Sequence, residues 1–325
     1  MKNNSLKEIA EALKTGNSIC LYPHENMDGD AFGSTVALAI ALRSLGKDAF
    51  VYYTEELPDN LAFMDKGYVT TDDEKAKNAD ISMLVDCGEP ARLGVRKDVF
   101  SYGKTSLCID HHLTSEPSCD YNYVDPTEAA TGQIAFELIK ELGVEPNPEM
   151  GNALYAALIT DTGNFQYSNT QKKSFFIAAE LFDWGIDSAY VNMEIYESNR
   201  FQRMLIETYA MNNLIMSEDG ILAMCHVTLE DLDRTGAQDS ETENIVGRLR
   251  SIKGVEVAAF LREKRDGNIS LSLRSKRYVD VSKIASQLGG GGHVRAAGAT
   301  LKGITIEDAI IKVRETIEKN IHEVE

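Results

Sequence analysis

The sequence predicts an α/β protein with a parallel-sheet N-terminal domain and a smaller α/β C-terminal domain, joined by a helical linker. In the first half, short and continuously apolar runs alternate with helical segments, which is typical of a parallel sheet covered on both faces. From Gly220 onward the pattern changes and includes an alternating, half-buried strand. The length of 325 residues suits two domains. We therefore expect domains at 1–190 and 217–325, with a linker helix at 191–216.

The N-terminal domain is expected to alternate strands and helices along the chain. The helices predicted from apolar periodicity and end signals are Leu6–Leu13, Ala31–Leu45, which Gly46 ends, and Thr131–Leu142. The apolar runs that predict strands are Ser18–Tyr22, Ala49–Tyr53, Ile81–Val85 and Ser106–Ile109. Asn152–Thr160 fits a helix or a buried strand, and residues 166–185 finish the domain with helix.

The linker and the C-terminal domain follow a different order of elements. Val191–Met216 predicts one long helix. The strands expected after it are Ile221–Val227, Val255–Glu263, Asn268–Arg274 and Ala296–Leu301, with a hairpin turn at Gly267. The helices expected among them are Thr242–Ser251, Val281–Leu288 and Ile306–Asn320.

Composition and charge exclude several classes of protein. Hydrophobic residues make up 43% of the chain, which is too many for a disordered protein. There are 33 Lys and Arg residues against 51 Asp and Glu, a formal net charge of −18. Because binding to the phosphate backbone of long duplexes needs a basic surface, this charge argues against that partner. The negative charge is compatible with a short anionic substrate in a local basic pocket, or with a carboxylate cluster that holds cations.

Cysteine usage and the N-terminus indicate a compartment. The five cysteines are odd in number and none is spaced as CxxC, which argues against a disulfide framework and a zinc knuckle. The N-terminal segment lacks the apolar core of a signal peptide, and no apolar run approaches the ~20 residues of a membrane span. We expect a cytoplasmic protein that has no membrane partner.

Acidic and histidine side chains follow the apolar segments at their ends. These residues are His24, Asp28, Asp30, Asp86, Asp110, His111 and Asp161, and His112 comes directly after His111. Because ligands bind at the carboxyl ends of parallel strands, we expect these side chains to meet at one edge of the sheet. Singly the motifs are weaker, since Asp-rich loops are common and an aspartate after a strand is often a helix N-cap.

So many carboxylates in one place would repel each other strongly unless cations were bound. Carboxylate and imidazole ligands without thiolates suit manganese, iron(II), cobalt or zinc. Two such ions ~3.5–4 Å apart are the usual arrangement for phosphoester hydrolysis. The sequence therefore predicts a pair of divalent metal ions of this class.

A glycine run in the C-terminal domain carries a second candidate site. Gly289 to Gly292 are followed directly by His293 and then Arg295. Glycines let backbone amides approach a ligand closely, so the run resembles a cradle for a phosphate or a carboxylate. The alternative is a flexible hairpin loop. Arg274, at the end of a predicted strand, could face the same pocket.

The motifs HENMDGDA, VDCG, IDHH, TDTGNF and GGGGHVRAAGA occur in this order along the chain. In this they resemble the DHH phosphoesterases that carry a DHH-associated C-terminal domain, in particular the bacterial oligoribonuclease and pAp phosphatase group. The resemblance spans nearly the whole chain. It implies a DHH phosphoesterase domain at 1–190 and a substrate-binding domain at 217–325.

The resemblance also implies a role for each residue. His24 and Asp28 would bind the first metal ion and Asp30 the second. Asp86 would bridge both ions, and His111 and Asp161 would complete the second site. His112 would face the scissile phosphate as a catalytic residue, and Asp110 would orient the histidines. In the C-terminal domain, the residues implied to bind substrate are Arg274, Gly290, Gly291, Gly292, His293 and Arg295.

The function this implies is hydrolysis of short oligoribonucleotides, about two to five nucleotides long, to mononucleotides, and of 3′-phosphoadenosine 5′-phosphate (pAp) to AMP. The resemblance implies two metal ions, usually manganese in this family, and water activated by them would be the nucleophile. An alternative is a phosphodiesterase of cyclic dinucleotides or of their linear products, pApA and pGpG. From a different class, the chain could be a nonhydrolytic nucleotide sensor. The sequence leaves open whether the protein forms a homodimer.

Overall fold

A computed structural model of the protein describes residues 3–116 and 118–322. The chain divides into two compact units, Met1–Ser198 and Asn199–Glu325. Both are α/β units, as the sequence predicts. Within the described ranges, no helix is long and apolar enough to cross a membrane.

The first unit is built on a six-stranded sheet in which every pairing is parallel. Its strands are β1 (Ser18–Tyr22), β2 (Asp48–Tyr52), β3 (Val69–Thr70), β4 (Ile81–Val85), β5 (Thr105–Asp110) and β6 (Tyr121–Val124). The sheet order is β3-β2-β1-β4-β5-β6. The four predicted strands are confirmed, while β3 and β6 were missed because these edge strands are short and only partly buried.

The strand order places a topological switch point between β1 and β4. From β1 the chain adds β2 and β3 on one side, and it then returns to add β4, β5 and β6 on the other. At such a point the connections leave the sheet in opposite directions and open a crevice at the carboxyl ends of the strands. The loops after β1 and β4 therefore border one crevice.

Helices of the first unit cover the sheet. They are α1 (Leu6–Thr15), α2 (Gly29–Ser44), α3 (Asp73–Lys77), α4 (Lys97–Phe100), α5 (Thr131–Leu142), α6 (Pro148–Asp161), α7 (Lys172–Asp183) and α8 (Ser188–Asn192). A 3-10 segment at Pro90–Arg96 precedes α4. The stretch predicted as helix or strand is α6, a helix with Asn147 as its N-cap and Pro148 in its first turn.

The prediction of one helix over Val191–Met216 is wrong. After α8, a π-helical turn at Met193–Glu197 ends where Ser198 leaves helical geometry, with φ −87° and ψ 54°. A new helix, α9, spans Phe201–Asn212, and it is followed by a strand rather than by further helix. Helical periodicity continues through the break, so only Ser198 and Asn199, which favour caps and turns, signal it.

The second unit has a mixed six-stranded sheet in the order β11-β12-β10-β9-β8-β7. Its strands are β7 (Ile215–Met216), β8 (Leu222–Val227), β9 (Val257–Glu263), β10 (Ile269–Ser275), β11 (Gly291–His293) and β12 (Ala296–Leu301). Besides α9, its helices are α10 (Leu229–Thr235), α11 (Ile245–Ser251), α12 (Val281–Gln287) and α13 (Ile306–His322). The hairpin predicted at Gly267 is confirmed, because β9 and β10 pair antiparallel around that residue.

The glycine run forms a β-hairpin rather than an open loop. β11 pairs antiparallel with β12, with Gly291 opposite Gly298 and His293 opposite Ala296. A Cβ atom at Gly290 would lie 2.0 Å from the Gly298 carbonyl oxygen. Glycine there lets the two backbone segments approach closely, which is a structural reason for part of the run.

Candidate metal centre

The acidic and histidine residues predicted to meet do meet, at the carboxyl edge of the first sheet. His24, Asp28 and Asp30 follow β1, Asp86 follows β4, and the Asp110-His111-His112 run begins at the last residue of β5. Asp161 is the last residue of α6. Distances between side-chain nitrogen and oxygen atoms connect all of them into one cluster.

One part of the cluster is built around His24. Its Nε2 lies 4.0 Å from Asp28 Oδ1 and 3.7 Å from Asp86 Oδ2. Its Nδ1 lies 2.7 Å from the Glu25 carbonyl oxygen, so a proton on Nδ1 leaves the Nε2 lone pair for a metal. Asp28 is also the N-cap of α2, where Oδ1 accepts hydrogen bonds from the first turn.

A second part of the cluster is built around His111. Its Nε2 lies 3.2 Å from Asp161 Oδ2, 3.7 Å from Asp86 Oδ1 and 3.8 Å from Asp30 Oδ2. Its Nδ1 lies 3.2 Å from the Glu128 carbonyl oxygen, so a proton on Nδ1 again leaves the Nε2 lone pair directed toward the carboxylates. The structure thus brings together the side chains that the resemblance implies as ligands of each ion, and their binding of metal stays a prediction.

Asp86 lies between the two parts and offers one oxygen to each, Oδ2 toward His24 and Oδ1 toward His111. Its backbone has φ 57°, in the left-handed region that non-glycine residues seldom adopt. Strained backbone of this kind persists where the surrounding structure holds it, often at functional sites. Asp86 therefore lies between the two histidines, and its role as a bridging carboxylate stays a prediction.

The electrostatics of the cluster favour bound cations. Burial raises the pKa of Asp30, Asp86 and Asp161, and the negative charges of neighbouring aspartates raise it further. Among the described residues, the ion pairs within the cluster use histidines as their only cationic partners. Oxygen and imidazole donors around buried like charges fit divalent metal ions, which could be held in both parts.

His112 differs from the other histidines in its partner. Its Nδ1 lies 2.7 Å from Asp110 Oδ1. This hydrogen bond raises the pKa of His112 to about 9, so the imidazole is protonated at neutral pH. Burial would raise the pKa of Asp110, but hydrogen bonds from His112 and Ser115 hold it below its usual value.

Sequence reasoning missed several residues that support the cluster. The Ser115 hydroxyl donates to Asp110, and the Thr131 hydroxyl donates to Asp86. Asn169 Nδ2 donates to the carbonyl oxygen of Asp161. No pattern in the sequence signals these contacts, because each depends on a loop or a helix end folding back onto the cluster.

The predicted substrate-binding residues of the second unit lie on and beside the β11–β12 hairpin. Gly290, Gly291, Gly292, His293 and Arg295 are exposed, and Arg274 is half-buried on β10. Part of the Arg295 guanidinium has a structural partner, because Nη1 donates to the Val279 carbonyl oxygen at 2.7 Å.

Comparison with known proteins gives matches to both units. Residues 18–159 match the DHH family N-terminal domain, and residues 222–323 match the DHHA1 domain. The bifunctional oligoribonuclease and PAP phosphatase NrnA of Thermus thermophilus is 34% identical over 320 residues, covering 97% of this chain and 94% of that protein.

Two further matches widen the comparison. The crystal structure of an exopolyphosphatase-related protein from Bacteroides fragilis matches with a TM-score of 0.89 at 27% identity, over 97% of this chain and 95% of that one. The cyclic-di-AMP phosphodiesterase GdpP of Geobacillus thermodenitrificans is 26% identical, over 95% of this chain and 48% of that protein.

The motifs, the clustered side chains and the two domain matches agree with one another. The family resemblance inferred from the motifs is confirmed over nearly the full chain. The protein belongs to the DHH family of phosphoesterases, with a C-terminal DHHA1 domain, and it is a hydrolytic enzyme.

Proposed function

We propose that this enzyme uses two divalent metal ions, manganese being favoured, to hydrolyse short oligoribonucleotides to mononucleotides and pAp to AMP. The observation that carries the proposal is the pair of histidine–carboxylate groups that meet at Asp86. His24 and Asp28 would hold one ion, and Asp30, His111 and Asp161 the other. When bound there, such ions would activate water for attack at neutral pH and would offset the charge of the phosphate.

His112 is the candidate for the catalytic proton in this scheme. Asp110 orients its ring through Nδ1, and this hydrogen bond favours the protonated imidazole. A charged imidazole can donate from Nε2 to a phosphate oxygen and stabilise charge as it develops. His112→Ala should therefore retain both ions and lower kcat by about 10²- to 10⁴-fold. Equilibrium dialysis with elemental analysis separates this outcome from loss of metal.

The substrates are proposed from the relatives and from the charge. The Thermus thermophilus relative is named for oligoribonuclease and PAP phosphatase activity. A net charge of −18 disfavours long duplexes and leaves room for short anions at a local cationic site. His293, Arg295 and the glycines beside them supply exposed donors that would hold a terminal phosphate, with Arg274 as a further candidate.

The test uses 5′-labelled RNA from about 2 to 20 nucleotides long, and pAp, with the chelated protein and with added manganese. We expect activity only with the metal, rates highest for the shortest RNAs, and AMP as the product from pAp. Full turnover by protein that elemental analysis finds metal-free would refute the two-ion mechanism. Metal binding with no hydrolysis of any nucleotide would instead indicate a sensor.

The second candidate function is hydrolysis of cyclic dinucleotides or of their linear products, pApA and pGpG. It is supported by the similarity to a cyclic-di-AMP phosphodiesterase over 95% of this chain. Comparing kcat/KM for cyclic-di-AMP, pApA and pAp separates the candidates. A preference for the cyclic compound over pApA and pAp would favour the second function over the first.

A further inference from the structure

Thr131, the first residue of α5, contacts carboxylates from both parts of the metal centre. Its backbone N–H donates to Asp30 Oδ2 at 2.7 Å, and its hydroxyl donates to Asp86 Oδ1 at 2.7 Å. The same two oxygens also face His111 Nε2, at 3.8 and 3.7 Å. One fully buried residue therefore holds both oxygens beside the same imidazole.

The start of α5 is arranged around this contact. Ala130, its N-cap residue, has only a methyl side chain, which cannot accept hydrogen bonds from the first amides of the helix. The Asp30 carboxylate accepts them instead. Asp30 accepts from the N–H groups of Thr131 and Gly132, and Ser34 adds a third donor at 3.2 Å. The positive end of the helix stabilises the Asp30 charge, which fixes the carboxylate firmly.

Among the described residues, fewer hydrogen bonds hold the Asp86 carboxylate than hold the Asp30 carboxylate. The Asp86 carboxylate receives a hydrogen bond from the Thr131 hydroxyl, while the neighbouring histidine nitrogens lie at 3.6 to 3.7 Å. The hydroxyl proton occupies one lone pair of Oδ1. The same hydrogen bond fixes the directions of the other Oδ1 lone pair and of both Oδ2 lone pairs.

We propose that Thr131 is a positioning residue that sets the spacing between Asp30 and Asp86 and so forms the site of the second ion. The proposal rests on the two-ion centre of the proposed function. Without the hydroxyl, the Asp86 carboxylate can rotate, and its buried charge loses a donor. Outer partners of metal ligands commonly contribute about 10- to 100-fold to metal affinity.

The experiment compares Thr131→Val, which keeps the shape and removes the hydroxyl, with Thr131→Ser, which keeps the hydroxyl. Thr35→Val is the matched control, because Thr35 is also fully buried and its hydroxyl donates only to backbone carbonyls of its own helix. Manganese is titrated calorimetrically into each chelated protein without substrate. The electron paramagnetic resonance spectrum then reports whether the bound ions form a coupled pair.

We expect Thr131→Val to bind the second ion about 10- to 100-fold less tightly than the wild type does, and to lose the spectrum of a coupled pair. Thr131→Ser and Thr35→Val should match the wild type within about threefold. The proposal is overturned if Thr131→Val binds like the wild type, or if Thr131→Ser is as impaired as Thr131→Val. Thr131→Ala carries the same test if Thr131→Val does not fold. A wild type that binds no manganese would refute the proposed function itself.

Discussion

At the scale of single residues, Asp86 illustrates a conflict between stability and function. It is almost fully buried, and both burial and the nearby Asp28 charge raise its pKa. In the metal-free protein its negative charge is therefore destabilising at neutral pH. A bound cation removes that penalty, so the residue favours the folded state only when the site is occupied.

Asp86→Asn should therefore stabilise the chelated protein while removing most of its metal-dependent activity. Asparagine keeps an oxygen that can accept from Thr131 but carries no charge. Asp28→Asn, which alters one part of the centre only, should impair activity less. Thermal unfolding with and without manganese checks both effects. A lower melting temperature for Asp86→Asn in chelator would contradict this account of its charge.

The same residues predict a pH dependence for the metal-free protein. The pKa of His112 is raised from 6.5 to about 9, so its stabilising contribution is complete below pH 6.5 and is lost as pH rises toward 9. The raised pKa values of Asp30, Asp86 and Asp161 act in the same direction, because these groups bind protons more tightly when folded.

We therefore expect the melting temperature in chelator to fall steadily between pH 6.5 and 9. His112→Gln, which does not titrate in this range, should make the slope shallower. Saturating manganese should reduce the slope as well, because metal binding favours the deprotonated carboxylates. A slope that is unchanged by His112→Gln would show that the His112–Asp110 pair does not contribute to it.

At the scale of elements, the position of the centre depends on close packing of α2 against α6. A Cβ atom at Gly33 would lie 2.3 Å from the Ala153 carbonyl oxygen and 2.9 Å from the Ala157 amide nitrogen. Both contacts are to backbone, which cannot move aside as a flexible side chain can. Asp30 lies about one turn before Gly33 on α2, and Asp161 ends α6, so this contact sets the distance between the helices that carry these two aspartates.

Gly33→Ala should destabilise the protein by about 1–3 kcal/mol and weaken metal binding, because the two helices must move apart. Gly291→Ala is the control, since a Cβ atom there would meet no atom beyond its chain neighbours within 4 Å, and its φ is not left-handed. Urea denaturation measures the stabilities and calorimetry the metal affinities. If Gly33→Ala is as stable as Gly291→Ala, α2 and α6 tolerate a wider spacing than the structure indicates.

The elements that the sequence predicts well are those whose local pattern agrees with their burial. β1, β4, α5 and β12 have the predicted bounds, because a continuous apolar run or a clear helical period marks each one. β3 could not be predicted in this way, since its two residues are ordered by pairing with β2 rather than by their own composition. The break at Ser198 was missed for the opposite reason, because periodicity continues across it.

At the scale of the whole molecule, the clustering of the candidate metal ligands was predictable, because parallel topology brings strand ends together whatever their separation in sequence. Thr131 was not, since its role follows from how α5 docks against Asp30. The glycine run shows a different limit. Its residues suggest a ligand cradle, while the β11–β12 pairing also requires glycine at Gly290 and Gly292, so composition alone cannot separate the two roles.

His293→Ala separates substrate binding from metal binding across the two units. His293 is exposed on β11, and the groups of the described chain that could hold a metal ion all lie in the first unit. The substitution should leave manganese stoichiometry unchanged and lower kcat/KM for dinucleotides and pAp. Losing one charge-assisted hydrogen bond costs about 1.5–3 kcal/mol, which is roughly ten- to a hundredfold.

A small ester such as bis-p-nitrophenyl phosphate need not reach His293, so its hydrolysis should be affected much less. Thr300→Ala, at an exposed position on the neighbouring strand β12, is the control and should leave both substrates unaffected. Steady-state kinetics on the two substrates, with metal content measured on the same samples, gives the comparison. If His293→Ala strips metal, or slows both substrates equally, the hairpin has a role other than holding the nucleotide. A selective loss on nucleotides would mean that the DHHA1 unit binds the substrate while the DHH unit supplies the chemistry.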